Sequence, residues 1–517
     1  MLTHSHTYSL THLGSVDFVT KCYKNKKSIR KSSVIDDEEL RILRVMDRVI
    51  PNMDINEIKY VKSEVMKLLL GMRCEPSAIS VLITIMFSIS KRLNIEDDVN
   101  GGWRDVQDWS SKLLVNAYNI LHYKVWITKP TTMLYGVEST ILTASMEHDI
   151  NSNITNGASP LLTALFTIGE LSMMGFSVED DEINTKKYDN NGEKVPSYTI
   201  STVSKVFKLD IPDSITKLVQ VLMSNNLPTI DNNSRNNQEI IRAYSFLTIG
   251  KLCLREKSKA RELINIFLRE IQNSSDTSHG SAAVRSNALL VLGDICVRYT
   301  SLVEHHVGAM ASCLQDTDVL VRRHALVLLT QLLLQDFLKW RGMLLYRFLA
   351  TGVDNDSDMS TFAKSILKTT LQNKYPDLFV QHFTETIIIF NNYINHPAYV
   401  AAASNGSDGD ETSCVVTMEG VNLEGNTNLS KRFYIYNMMM EDLSDEQKLT
   451  ISAKLVQDIL SNAVDSLHSV DKSMINSQGT HSPIYSPTYS LTHLLTHLLK
   501  HLKMFYRIRY YYYNHHI

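Results

Sequence analysis

The sequence predicts an all-α protein in which antiparallel helix pairs stack into an α-solenoid. Three observations support this prediction. A short helical segment recurs along the chain, apolar residues recur at three- and four-residue intervals over most of its length, and the recurrence has the length of a two-helix unit. A lone helix pair cannot bury its apolar faces, whereas stacked pairs share a continuous core.

The recurring segment is clearest in two stretches, "IRAYSFLTIGKLC" and "VRSNALLVLGDIC". Arginine, glycine and cysteine occupy the same positions in both, with apolar residues in register between them. A third copy begins at Asp316 with "DTDVLVRRHALVLLTQLLL", and a fourth begins at Asp354 with "DNDSDMSTFAKSILKTTL". The matched arginines Arg242, Arg285 and Arg322 are 43 and 37 residues apart, which is the length of a two-helix repeat.

Each unit is predicted to be a helix, a short turn and a second helix. In "LVEHHVGAMASCL" the apolar residues have helical spacing on one face. The residues "QDTD" favour a turn, and "VLVRRHALVLLTQLLL" is so apolar that neighbouring helices must cover it. Asp318 is expected to accept backbone amides at the start of this helix, with an arginine of a neighbouring unit alongside. Asp and Arg would then form a charge ladder along the stack.

Two residue types inside the repeats have a structural interpretation. Glycine in a helix interior costs about 1 kcal/mol relative to alanine, and it is tolerated where a neighbouring helix packs closely. The glycines of "TIGKL" and "VLGDI" are therefore predicted to be packing positions. The 6 cysteines are scattered and form no CxxC pair, which predicts buried thiols in a reducing compartment and gives no zinc site.

Changes in composition predict how the chain is organised. Polar stretches rich in Asn and Asp separate helical segments, and a Gly- and Ser-containing linker follows the repeats. Ser444 and Gln447 have the spacing of a capping box, which predicts a helix start. The expected divisions are a low-complexity end at 1–35, helical repeats at 36–177, polar insertions around one helical unit at 178–235, the repeat array at 236–400, a disordered linker at 401–430, terminal helices at 431–470 and a low-complexity tail at 471–517.

Composition narrows the class of protein. Hydrophobic residues make up 44% of the chain and charged residues 21%, as in a folded soluble protein. A formal net charge of -3 argues against a uniformly basic nucleic-acid binder. No stretch has the ~20 apolar residues that a bilayer requires, and the N-terminus lacks the pattern of a secretory signal. These features predict a cytosolic or nuclear protein without a membrane partner.

The two ends of the chain share the heptapeptide "TYSLTHL", at 7–13 and at 488–494. Near the second copy His493, His497 and His501 have helical spacing, which is one pattern that can bind a metal. Low-complexity tracts of this kind arise without selection for structure, and we interpret both ends as such tracts and assign them no function.

The sequence contains none of the common catalytic motifs. GxxxxGK[ST], GxGxxG after a strand, HExxH and GxSxG are all absent, so no catalytic residue, metal, cofactor or small-molecule substrate is expected. "FLKWRGMLLYRF" groups Lys339, Trp340, Arg341 and Arg347, a basic-aromatic cluster that can bind phosphate or stack on bases. The alternative is that Trp340 belongs to the core, as large aromatic residues usually do. We keep the four residues as a candidate partner-binding surface.

The Asp-turn-Val-Arg pattern resembles the HEAT repeat family, best in the units at 281 and 316. Over 236–465 the resemblance is more specific. "VRSNALLVLGDIC", "FLKWRGMLLYRFL", "PDLFVQHFTETIIIFNNY" and "FYIYNMMMEDLSDEQKLTISAKLVQDIL" resemble the D-type HEAT subunits of condensin, and the details favour the condensin II form. Members of this family are much longer, so the sequence is expected to be a fragment or a truncated gene model.

The resemblance implies a HEAT-repeat α-solenoid that acts as a non-enzymatic scaffold of condensin II. Such a subunit binds the kleisin subunit and reaches chromatin through the complex, in the nucleus and on mitotic chromosomes, while the SMC subunits carry the ATPase activity. No functional residue is carried over from the family, because the shared positions are those of the packed repeat. Two alternatives stay open: another HEAT scaffold, such as a nuclear transport receptor or a phosphatase scaffold, and an enzyme whose catalytic domain lies outside this sequence.

Overall fold

The computed structural model describes residues 37–72, 74, 76–94, 104–128, 160–174, 209–224, 232–272, 281–340, 343–393, 396–399 and 423–460. Within these residues the regular structure is helical and no β-strand occurs. The predicted all-α fold class is therefore confirmed. The chain divides into two compact units. The first is Met1–Leu367 with Ala401–Gly420, and the second is Lys368–Val400 with Val421–Ile517.

The first unit contains fourteen described α-helices: α1 (Asp37–Val49), α2 (Ile55–Leu70), α3 (Pro76–Asn94), α4 (Arg104–Thr128), α5 (Pro160–Met173), α6 (Asp213–Met223), α7 (Asn232–Arg255), α8 (Lys257–Gln272), α9 (Ala282–Arg298), α10 (Thr300–Val303), α11 (Val307–Ser312), α12 (Val319–Leu334), α13 (Leu344–Thr351) and α14 (Ser357–Ser365). A 3-10 turn, Glu304–His306, joins α10 to α11. None of the helices in the described part of the chain is long and apolar enough to cross a membrane.

These helices form two layers. In the first layer α1, α3, α5, α7, α9, α12 and α14 each pack against the next member of the series. In the second layer α2 packs on α4 and α4 on α6, and farther along α8 packs on α11 and α11 on α13. Consecutive helices such as α7 and α8, or α13 and α14, join the two layers. This is the stacking of antiparallel helix pairs that the repeats predicted.

Apolar side chains fill the space between the packed helices. Phe246 and Phe267 meet edge to face, with ring centroids 5.9 Å apart and both rings buried. Fully burying a side chain of this kind contributes about 1.5–3 kcal/mol. Stacking is therefore the main source of stability for helices whose apolar residues, as in α12, cover most of the circumference.

The cysteines of the described residues are free and buried: Cys74, Cys253, Cys296 and Cys313. Burial raises the pKa of the Cys253 and Cys313 thiols to about 12 and that of Cys296 to about 11. The prediction that these residues serve as small buried hydrophobes is confirmed, because such thiols stay protonated and unreactive near neutral pH.

The glycines of the first layer face side chains of the next helix. A methyl group on Gly250 would lie 2.9 Å from Cγ1 of Val291 and closer still to Cγ2. A methyl group on Gly293 would lie 2.6 Å from Cδ1 of Leu328. These distances are below van der Waals contact, so the predicted packing role is confirmed for both positions. Gly169 has a softer neighbour, since its nearest atom is Cδ of the flexible Lys251 at 3.1 Å.

The second unit is described from its own helices. They are α15 (Gln372–Lys374), α16 (Leu378–Phe390), α17 (Leu429–Met440) and α18 (Asp445–Leu455), and α16 packs against both α17 and α18. The capping box predicted at Ser444 and Gln447 is confirmed. The Gln447 amide donates to Ser444 Oγ at 3.2 Å, and the Ser444 amide donates to Gln447 Oε1 at 3.0 Å.

A buried arginine holds the approach to α17 in the second unit. Arg432 is 1% exposed, and its guanidinium donates to the backbone carbonyls of Leu423 and Gly425. Burial lowers its pKa from the usual value. Gly425 has a φ of 92°, a conformation that L-residues rarely adopt, and this turn brings its carbonyl oxygen to Arg432.

Replacing Gly250 by alanine should destabilise the fold. Gly250→Ala in the full chain is expected to lower the free energy of unfolding by about 1–3 kcal/mol, because the added methyl overlaps Val291. Thermal and urea unfolding of the purified protein measures the change. Gly169→Ala is the matched control, and it should cost less than Gly250→Ala because the nearest atom, Cδ of Lys251 at 3.1 Å, needs to shift only slightly. Equal effects of the two variants would contradict the packing role.

The buried thiols should resist alkylation. With a pKa raised from 9.0 to about 12, Cys313 has roughly a thousandfold less thiolate at pH 8 than an unperturbed thiol, and burial also restricts access. Iodoacetamide labelling followed by peptide mass spectrometry should show Cys313 modified at least about tenfold more slowly in native protein than in guanidinium chloride. Equal rates in the two conditions would show that the thiol is accessible.

Candidate interaction surface

Three arginines of the first layer, two buried and one half-buried, each bind a carboxylate that lies farther along the chain. Arg285 makes a bidentate pair with Asp316, with Nε to Oδ2 at 2.7 Å and Nη2 to Oδ1 at 2.8 Å. The half-buried Arg322 pairs with Asp354: its Nη2 donates to Oδ1 at 2.9 Å, and its Nε lies 2.8 Å from Oδ2 without a hydrogen bond. Arg242 binds Glu270 and also donates from Nε to the carbonyl of Met223 at 2.8 Å.

We call these three pairs the arginine ladder. Two of its carboxylates, Asp316 and Asp354, occupy equivalent turns. Asp316 lies between α11 and α12, and Asp354 lies between α13 and α14. Each accepts, at 2.8 Å, the backbone amide two residues on, that of Asp318 in the first turn and Asp356 in the second. One carboxylate therefore holds its own turn and binds the arginine of the preceding unit. The hydrogen bond to Asp316 raises the pKa of Arg285.

Asp318 has a different role from its neighbour Asp316. Its carboxylate accepts the amide of Leu320 at 2.8 Å and so caps the N-terminus of α12. The arginine that we expected alongside Asp318 pairs with Asp316 instead, because the turn directs the earlier carboxylate towards Arg285. The sequence analysis did not predict that the arginines bind the carboxylates of Asp316, Asp354 and Glu270. The signal for the two aspartates was present in the matched triplets "DTD" and "DND".

The ladder ends in the fourth repeat. Ser360 stands in α14 where the earlier copies carry arginine, and its hydroxyl donates to the carbonyl of Gly352 at 2.7 Å. This contact stays within one unit, whereas Arg285 and Arg322 each reach the following unit.

The proposed basic-aromatic surface does not form as a single patch. Arg347 is buried, 3% exposed, and its Nη1 donates to the side chain of Gln315. Burial also lowers its pKa, so we correct the expectation that it faces a phosphate ligand. Trp340 is half-buried and meets Phe348 edge to face at 5.4 Å, which favours its role in packing. Lys339 is exposed, and Arg341 lies outside the described residues.

Metal binding gains no support in the part of the chain that the structure describes. There, no group of three or more His, Cys, Asp or Glu side chains is placed to hold a metal ion. The histidines at 493, 497 and 501 lie outside the described residues.

Part of this chain is similar to proteins of known kind. Residues 283–466 match the family model described as Cnd1, non-SMC mitotic condensation complex subunit 1. The match begins in α9 and extends through α18, so it includes the arginine ladder from Arg285 onward.

Individual relatives indicate a more specific kind of subunit than the family model does. Condensin-2 complex subunit D3 of Mus musculus is 35% identical over 232 residues, which cover 45% of this chain and 14% of that protein. Condensin-2 complex subunit D3-L of Xenopus laevis is 30% identical over 292 residues, covering 53% and 19%. Condensin-2 complex subunit CAP-D3 of Arabidopsis thaliana is 28% identical over 251 residues, covering 48% and 18%. The aligned segments span less than a fifth of the length of these relatives.

Removing one member of the ladder should be severely destabilising. Arg285→Ala leaves the Asp316 carboxylate, 1% exposed, without its guanidinium, and is expected to cost about 3–5 kcal/mol in the free energy of unfolding. Urea unfolding of the full chain measures this. Arg261→Ala, which removes an exposed arginine from α8, is the control and should change stability by less than about 0.5 kcal/mol. Similar costs for both variants would show that the buried pair has no special role.

Proposed function

We propose that this chain is part of a non-catalytic scaffold subunit of condensin II. In this proposal it binds the kleisin subunit and helps load the SMC ATPase complex on chromatin during mitotic chromosome condensation. The observation that carries the proposal is the family match over 283–466, together with relatives from a mammal, an amphibian and a plant that are all condensin-2 subunits. The protein would accordingly act in the nucleus, on chromosomes.

The architecture supports a scaffold role. A stack of helix pairs presents an extended surface in which successive repeats offer equivalent positions to a partner. The Arg285–Asp316 and Arg322–Asp354 pairs each connect one repeat to the following one, so this part of the surface is held in a defined register. A partner that contacts several repeats at once would therefore meet residues at fixed intervals.

Purification of the endogenous full-length protein from mitotic cells tests this function. Mass spectrometry of the purified material should recover an SMC pair and a kleisin in amounts comparable to the tagged subunit, and the tagged subunit should be enriched in the chromosome fraction. Recovery of nuclear transport factors or a phosphatase in place of SMC proteins would refute the proposed function but would not contradict the solenoid fold.

A further inference from the structure

A line of apolar side chains crosses the solvent-facing side of the first layer. It consists of Phe166 on α5, Leu247 on α7, Leu290 on α9 and Val327 on α12, which we name the middle row. Its members are 81, 43 and 37 residues apart, the same spacings that relate the repeats themselves. Leu290 and Val327 are 37% and 45% exposed, and the other two are half-buried. Because successive helices of this layer pack together, the four side chains lie across the stack in order.

Polar side chains border the middle row on both sides. Four residues after its members come Glu170, Lys251, Asp294 and Gln331, and three residues before the last three of them come Tyr244, Asn287 and His324. A helix rises 1.5 Å per residue, so the apolar strip between these borders is about 10 Å wide. Packed helices are 8–10 Å apart, so the strip is about 25–30 Å long.

These dimensions favour an extended peptide over a helix as the occupant. A bound helix is itself 10–12 Å wide and buries an apolar stripe at least about 100° across, more than one line of single side chains offers. An extended chain in the polyproline II conformation rises about 3.1 Å per residue with three residues per turn, so every third side chain returns to the same face and would lie over the next helix of the layer. Its backbone amides and carbonyls also need hydrogen-bond partners, which the polar borders can supply.

The charges beside the row indicate what else the peptide should carry. Glu170 and Lys251 bind each other, and the Lys251 ammonium also lies over the Phe166 ring, 4.6 Å from its centroid. Asp294 is exposed and makes no ion pair with any residue that the structure describes, while Lys251 acts electrostatically on its carboxylate. Its carboxylate lies beside the exposed Leu290, one turn along α9, where a cation on the peptide would reach it.

We propose that the middle row binds an extended segment of a partner protein that has apolar side chains at about every third residue and a basic residue over Asp294. The inference rests on the proposed function only in requiring a protein partner. It assigns the surface and the chemistry of the bound segment, whichever subunit supplies it.

Site-specific photocrosslinking tests the occupant directly. p-Benzoylphenylalanine placed at position 290 of the full-length protein in mitotic cells should crosslink to one segment with the stated pattern, located by peptide mass spectrometry. Position 266 on α8 is the matched control, because Ile266 is 38% exposed against 37% for Leu290 but lies in the second layer. Crosslinks only to a second copy of this chain, only to DNA, to a segment without the pattern, or no more than at position 266 would each overturn the proposal.

Binding measurements with the identified segment then test whether the residues of the middle row and Asp294 contact it. A fluorescent synthetic peptide of that sequence should lose affinity for the full chain at least about tenfold on Leu290→Asp or Val327→Asp. Asp294→Asn should weaken binding most at low salt, while Ile266→Asp should leave binding unchanged. Unchanged thermal midpoints in these exposed variants exclude misfolding, and unchanged affinity in all of them would refute the assignment. SMC proteins that copurify without a crosslink at 290 would uphold the proposed function alone, whereas a patterned segment from a protein outside condensin would uphold this surface alone.

Discussion

The buried bidentate pair between Arg285 and Asp316 is the contact on which the order of the repeats depends. Its side chains are 5% and 1% exposed, so both charges have left water and each requires the other. A pair of this kind adds little net stability relative to well-packed apolar residues, but it tolerates only one arrangement of its two backbones. The arginine belongs to one repeat and the aspartate to the turn of the next. We infer that the pair chiefly fixes the register of successive repeats, while burial of apolar side chains supplies most of the stability.

Close packing at glycine complements this register. The pair fixes how far one helix is displaced along its neighbour, and Gly250 and Gly293 fix how near the neighbours approach, because Val291 and Leu328 occupy the space that a methyl group would need. The same helix can make both the arginine–aspartate pair and the close contact at glycine. Arg285 is in the first turn of α9 and Gly293 lies two turns later, so α9 is constrained at two separated points against its neighbours. Two such points prevent both sliding and pivoting of one helix on the next.

The features that sequence predicted were those determined by local pattern. Helix periodicity, the glycines, the buried thiols and the capping box at Ser444 follow from residue type and spacing within one or two turns. The choice of Asp316 over Asp318 as the partner of Arg285 could not be predicted, because it depends on the path of a turn in which two carboxylates lie two residues apart. Arg347 was expected at the surface because it belongs to a basic-aromatic cluster of the kind that binds phosphate. Its burial beside Gln315 depends on how the turn before α13 enters the stack, which no local pattern encodes.

The repeat period thus has different consequences on the two sides of a first-layer helix. On the buried sides, arginine, glycine and small apolar residues recur at this period, at positions that contact the next helix. These contacts are sufficient to explain the stacking of the helices. On the solvent side, Leu247, Leu290 and Val327 recur at the same period, yet burial within the stack does not require them because two of the three are more than a third exposed. Exposed apolar side chains gain free energy only when something covers them. A surface that repeats every helix, with polar borders at a constant distance, is suited to a partner whose own side chains recur at that interval, and this is why we look for its occupant among extended segments.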